Sequence, residues 1–209
     1  MTKYEPEMQN SAFPKLTEPN GLDTGPIPIE PYISPAWFEK EREQIFGRAW
    51  LCMGRIEQLP EPETYIVKQI EVRNVIALIT RDKNDTVRAF HNVCSHRANM
   101  IVQDCAGKGS RFVCKYHNWA YRNDGDCIGV PDRANFFNLD IKKCGLTPIA
   151  CEVWEGWIFI NLQKVPEVSL KEFLGPFGEA FTNAPAPSAE HAFDVDVSTM
   201  KANWKTTIA

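Results

Sequence analysis

Two short pairs of metal-ligating side chains constrain this chain of 209 residues more than any other feature. Cys94 and His96 have one residue between them, Cys114 and His117 have two, and seventeen residues separate the pairs. Each pair offers one thiolate and one imidazole. The fold must therefore bring two loops face to face if the pairs are to act together. The rest of the composition favours that reading. There are seven cysteines, an odd number, and the N-terminus MTKYEPEMQNSAFPKLTEPN lacks the basic start and apolar segment of an export signal. A disulfide scaffold is thus the poorer explanation, and a cytoplasmic protein is expected. The formal net charge of -4, without a run of Lys or Arg, makes a nucleic-acid partner an unlikely class. No apolar stretch approaches eighteen residues, so no membrane partner is expected.

Two cysteines on one iron and two histidines on the other, with two sulfides bridging the metals, is the Rieske 2Fe-2S arrangement. The expected ligands are Cys94 and Cys114 on one side and His96 and His117 on the other. Exchanging two anionic thiolates for neutral imidazoles leaves less negative charge on the cluster, which makes an added electron easier to accept. Neither iron keeps an open position, so such a centre carries electrons and leaves bond-making to another site. The rival is a mononuclear Cys2His2 zinc site. Structural zinc loops usually place two to four residues between paired ligands, and Cys94-Ser95-His96 has one. His91 lies near the first pair but reads as structural, as does His191. Cys52, Cys105, Cys127, Cys144 and Cys151 have no histidine neighbour and read as free or buried thiols. Trp119 and Tyr121 suit a role in tuning the centre and a place in the core equally well.

Along the chain, residues 1–47 read as a proline-rich arm followed by a helix, with Ser34 as N-cap, Pro35 in the first turn and Gly47 at the end. Trp37, Phe38, Ile45 and Phe46 on that helix call for a partner surface. Residues 48–168 carry strand patterns AWLCMG, TYIVKQI, NVIALIT, TVRAF, RFVCKY, TPIACEVW and GWIFINL, which predicts a mainly β, antiparallel domain. Residues 169–190 read as a short helix opened by a Ser169–Glu172 capping box and stopped by Gly175-Pro176, then a linker. Within residues 191–209 the alternation in AFDVDVSTM predicts a strand that begins a second domain, too short here to form a core.

At Cys94-Ser-His96-Arg97 and Cys114-Lys-Tyr-His117-Asn-Trp119 the sequence resembles the alpha subunits of Rieske non-haem iron ring-hydroxylating oxygenases. The likeness extends to WFEKEREQIFGRAW, GLTPIACEVWEGWIFINL and Ala202-Asn203-Trp204-Lys205. The resemblance implies an oxidoreductase, a mono- or dioxygenase, whose Rieske domain passes electrons from a reductase or ferredoxin to a mononuclear non-haem Fe(II). It also implies a homo-oligomer, a trimer in this family, and the truncated start of an α+β catalytic domain at residues 191–209. The ligands of the second iron lie after the Asn-Trp-Lys element in the family, so no residue of this chain takes that role. A stand-alone Rieske ferredoxin is the alternative, but it leaves the N-terminal helix and the C-terminal segment unexplained. Two positions depart from the family, Ala98 and Asn118, where glycine is usual. High-potential Rieske proteins carry a serine where this chain has Trp119, and extra cysteines where it has Asn99 and Tyr116. The resemblance therefore implies a low potential.

Overall fold

β-branched and aliphatic residues dominate Val75–Arg81, and their alternation settles the layers. Ala77 and Ile79 turn to one side and Leu78 to the other, and all three are fully buried. A strand covered on both faces belongs in the middle of its sheet. The computed structural model, which describes residues 27–183 and 198–208, places it there.

The strands are β1 (Trp50–Arg55), β2 (Thr64–Ile70), β3 (Val75–Arg81), β4 (Val87–His91), β5 (Ala106–Lys108), β6 (Arg111–Val113), β7 (Ala120–Arg122), β8 (Cys127–Gly129), β9 (Pro148–Trp154) and β10 (Trp157–Asn161). Seven form a sheet in the order β1-β10-β9-β4-β3-β2-β5, and β6-β7-β8 form a second, smaller one. Every strand pair is antiparallel. Short turns fit this topology. β9 and β10 are joined through Glu155 (φ 47°) and Gly156 (φ 79°), the double positive φ of a tight hairpin.

The two faces of the large sheet build two cores. One contains Leu59, Ile66, Ala77, Ile79, Ile149, Ile158 and Ile160. The other lies between the sheets and contains Leu78, Phe90, Phe112, Trp119 and Tyr121 together with Cys94 and Cys114. The small sheet therefore covers the end of the large one at which both cysteines are buried.

At the N-terminal side, α1 (Glu30–Ile33) leads into α2 (Pro35–Glu41). Ser34 Oγ accepts the Trp37 N–H at 3.3 Å, as expected of the cap. The helix then widens into a π turn over Arg42–Phe46 before Gly47, where a Cβ would meet the Glu43 carbonyl at 2.7 Å. The Ser169–Glu172 capping box is formed and opens α3 (Leu170–Leu174). Leu170 and Leu174 pack with Trp50 and Phe159.

Three expectations need correction. RFVCKY is a strand only as far as Val113, because Cys114 begins a turn. β5, β7 and β8 are short strands that the sequence reading passed over. α3 stops at Gly175 as expected, but a further helix, α4 (Pro176–Asn183), begins directly after it. The arm over 1–26, residues 184–190 of the linker and most of the AFDVDVSTM strand lie outside the described residues. The chain resumes toward α5 (Trp204–Thr207).

Candidate metal centre

The β4–β5 loop carries the first pair and the β6–β7 loop the second, and the two loops fold alike. In the first, the Cys94 N–H donates to the Asn99 carbonyl at 2.8 Å and the Ala98 N–H to the Cys94 carbonyl at 2.9 Å. In the second, the Cys114 N–H donates to the Trp119 carbonyl and the Asn118 N–H to the Cys114 carbonyl, both at 2.9 Å. The fourth residue after each cysteine is left-handed, Ala98 at φ 55° and Asn118 at φ 57°. The backbone thus repeats one turn twice, although histidine sits at a different step in each. Asn92 closes the base of the first loop, donating to the Val102 carbonyl at 2.7 Å and accepting the Val102 N–H at 3.0 Å.

Facing turns bring like side chains together. Cys94 and Cys114 are 3% and 2% exposed and lie in the same core. The imidazoles of His96 and His117 lie with ring centroids 4.7 Å apart, nearer the surface than the sulfurs. Among the described residues, no three His, Cys, Asp or Glu side chains converge on one point.

Electrostatics prepares Cys114 and His96 for metal. Burial pushes the Cys114 thiol up, but the N–H groups of Tyr116 and His117, the Cys94 thiol and the Asn99 amide outweigh it and hold the group below its ordinary value. Burial lowers His96, and the positive charge of His117 and Arg97 adds to that. A thiolate and a neutral imidazole are the ligating forms. His117 Nδ1 is buried with no hydrogen-bond partner, a cost that a metal bond would remove.

Around the imidazoles the packing is aromatic. Trp119 stacks on His96 at 4.9 Å with 4° between the planes, and Phe136 meets both rings edge-on. These rings, with His117, Asn118 and Asp132, line an open cleft of about 420 Å³. The Tyr121 hydroxyl lies 3.1 Å from Cys94 Sγ and accepts the Ser95 N–H at 3.1 Å. Burial first, and then the Cys94 sulfur, push its phenol well above the ordinary value, so it stays protonated and able to donate.

Residues 49–151 match the family model of the Rieske [2Fe-2S] domain. Choline monooxygenase of Spinacia oleracea is 36% identical over 182 residues, covering 83% of this chain and 40% of that protein. The chain belongs to the Rieske oxygenase family. The subunit alpha of 2-aminobenzenesulfonate 2,3-dioxygenase from Alcaligenes sp. is 30% identical over 201 residues, 95% of this chain and 50% of the relative. Among solved structures, that of a quaternary ammonium Rieske monooxygenase superposes with a TM-score of 0.68 at 27% identity, covering 74% of this chain and 41% of that one. This chain thus spans no more than half the length of these relatives.

As a Rieske domain, the site has the donor set, two thiols and two imidazoles, that a 2Fe-2S cluster of this type requires. The structure places Cys94 and Cys114 in one core and sets the His96 and His117 rings side by side. His91 does not join them: it lies on β4, where burial lowers its pKa. Tyr121, read from the sequence as suited equally to tuning and to the core, puts its hydroxyl on Cys94, whereas sequence reasoning missed two supporting groups, the Asn99 amide 3.7 Å from Cys114 Sγ and Phe136 over His96. The serine hydroxyl of high-potential relatives is replaced by Trp119, yet a hydroxyl donor remains at Tyr121. Its position four residues after His117, on an inward strand site, was the available signal.

Proposed function

We propose that this chain is the electron-transfer part of an oxygenase alpha subunit, with Cys94 and Cys114 holding one iron of the cluster and His96 and His117 the other. The observation that carries the assignment is the pairing of buried thiols beside partly buried imidazoles, with His117 Nδ1 left unpartnered. When bound, the cluster supplies one-electron transfer at a potential set by its ligands and their hydrogen bonds. The chain does the rest. The core between its two sheets keeps water from the sulfur side, Trp119 stacks on the His96 ring, and the open cleft puts the imidazole edge where a partner can approach. Electrons enter from a reductase or ferredoxin and leave by the same histidine face. The acceptor is a mononuclear non-haem iron in a catalytic domain that accounts for the remaining length of the relatives.

We assign residues 1–47 to an arm and helix, 48–168 to the Rieske domain, 169–190 to a helix and linker, and 191–209 to the start of the catalytic domain. A solved relative is described in terms of inter-subunit electron transfer, and we extend that to a homo-oligomer, a trimer, here. No helix among the described residues is long and apolar enough to cross a membrane. None of the seven cysteines is in a disulfide, which supports a reducing compartment, the cytoplasm.

The experiment is reconstitution with iron and sulfide followed by titration with NADH and a reductase, with oxygen uptake measured on choline, carnitine and 2-aminobenzenesulfonate. A brown protein whose visible bands bleach on reduction supports the reading. A colourless, zinc-loaded protein, or a cluster that survives His96→Ala, contradicts it.

A further inference from the structure

The C-terminal segment returns to the N-terminal helix. Trp204 Nε1 donates to Glu41 Oε2 at 3.0 Å, and Lys205 Nζ donates to Glu41 Oε1 at 2.6 Å, across 163 and 164 positions of sequence. Asn203 caps α5 by accepting the Lys205 N–H at 3.1 Å and donates from Nδ2 to the Tyr32 carbonyl at 3.2 Å. Phe46 meets the Trp204 ring edge-on at 5.2 Å, and the Lys205 ammonium lies 5.3 Å from the Tyr32 ring. Both oxygens of Glu41 are engaged, and the residue is 6% exposed.

The physics of that contact points past simple adhesion. Removing a carboxylate and an ammonium from water costs roughly what their attraction returns, so an apolar pair would bind the two helices as firmly. An ion pair with an indole N–H on the second oxygen does what an apolar pair does not: it is satisfied in one register. The other side of the helix is also tied down. Arg42 donates to the Val72 carbonyl, and Arg73 donates to the Arg42 carbonyl at 2.9 Å, so the helix grips the β2–β3 turn. The Asn92 N–H donates to the Ile76 carbonyl at 2.9 Å, so the first cluster loop leaves from that same end of the sheet.

We propose that Glu41 is a positioning residue: through Trp204 and Lys205 it fixes the chain that follows the Rieske domain, and so sets the geometry in which the cluster hands on its electron. The second half of this statement rests on the function proposed above. Glu41 touches neither metal nor substrate, and its effect on transfer passes through the placement of residues 203–207.

The test uses the complete, cluster-loaded oxygenase with Glu41→Gln, Glu41→Ala and Lys205→Met. Cluster spectrum and potential should match wild type in all three. Amide hydrogen exchange over residues 203–207 should rise about tenfold or more, and oxidation of the pre-reduced cluster by oxygen and substrate should slow about tenfold. The Glu41→Gln, Lys205→Met double variant should be no worse than either single one, since both remove one interaction. If Glu41→Ala fails to fold, the two conservative variants carry the test. Unchanged exchange overturns the clamp, and faster exchange with an unchanged oxidation rate overturns its role in transfer. A wild-type enzyme that never oxidises its cluster with substrate overturns the proposed function, and with it the role in transfer; exchange alone then decides the clamp.

Discussion

Ala98 holds a conformation that suits glycine better, since at φ 55° its Cβ crowds the carbonyl, and Asn118 at φ 57° bears the same strain more easily. The loop keeps the shape of its twin and the alanine carries the steric cost. Ala98→Gly should therefore stabilise the protein by about 1 kcal/mol, the relief of strain exceeding the entropy that glycine adds to the unfolded chain. Asn118→Gly should gain less. Urea denaturation midpoints of the two variants will show the order. Tyr121 is the second residue with a separable effect. Its hydroxyl, 3.1 Å from Cys94 Sγ, stabilises added negative charge, so Tyr121→Phe should lower the midpoint potential by roughly 40 mV, equal to about 1 kcal/mol for one electron. The parent value is expected near the lower end for Rieske centres, roughly -150 mV, because Trp119 supplies no hydroxyl. Potentiometry of both proteins checks the pair. A variant potential equal to the parent's would mean that the hydroxyl gives its proton elsewhere.

At the scale of elements, the turns decide how well the two sheets are held. Gly125, in the β7–β8 turn at φ 92°, leaves room where a Cβ would lie 2.3 Å from the Phe90 ring. Gly125→Ala should destabilise by about 2 kcal/mol or more through overpacking and the positive φ together. Thermal unfolding of the variant tests this. The long strands were legible because runs of β-branched, aliphatic and aromatic residues bounded by turn residues are a strong signal, and β2, β3 and β10 fall within or beside TYIVKQI, NVIALIT and GWIFINL. β5, β7 and β8 have three residues each, too few to show a period, and they form because the cluster loops return the chain to a partner strand. RFVCKY read too long for the same reason. Thiol and aromatic side chains suit a strand, and only the turn bonds of Cys114 to Trp119 and Asn118 end it. The ligand residues were legible from type and spacing. Tyr121 was legible only as an even choice between tuning and core, and Asn99 and Phe136 were not legible, because their roles depend on which way a strand faces and where a distant loop lies.

For the whole molecule, two buried carboxylates set the response to acid. Burial pushes Glu41 up, but Lys205, Trp204 and Trp37 hold it below its ordinary value. Burial likewise raises Asp82, while Arg88 and the N–H groups of Thr86 and Asn84 lower it by more. A carboxyl whose folded pKa is depressed contributes stability that is complete above its unfolded pKa, about 4, and lost as pH falls through the folded value. Stability from these two groups should hold down to about pH 5 and then decline. Asp82→Asn should be weaker near neutrality, by about 2 kcal/mol, and show a flatter acid limb. Denaturation curves from neutral to acid pH measure both. All of this supports one centre, and the claim that its cluster has two cysteine and two histidine ligands has a direct test. Protein grown with ¹⁵N-histidine, reconstituted and reduced by one electron, is examined by pulsed electron-nuclear resonance at the cluster signal. Two distinct strongly coupled ¹⁵N nuclei, with the cluster signal abolished in His96→Ala and both couplings kept in His91→Ala, are the expected result. A paramagnetic cluster without coupled histidine nitrogen, or no paramagnetic centre in protein that retains zinc, would contradict it.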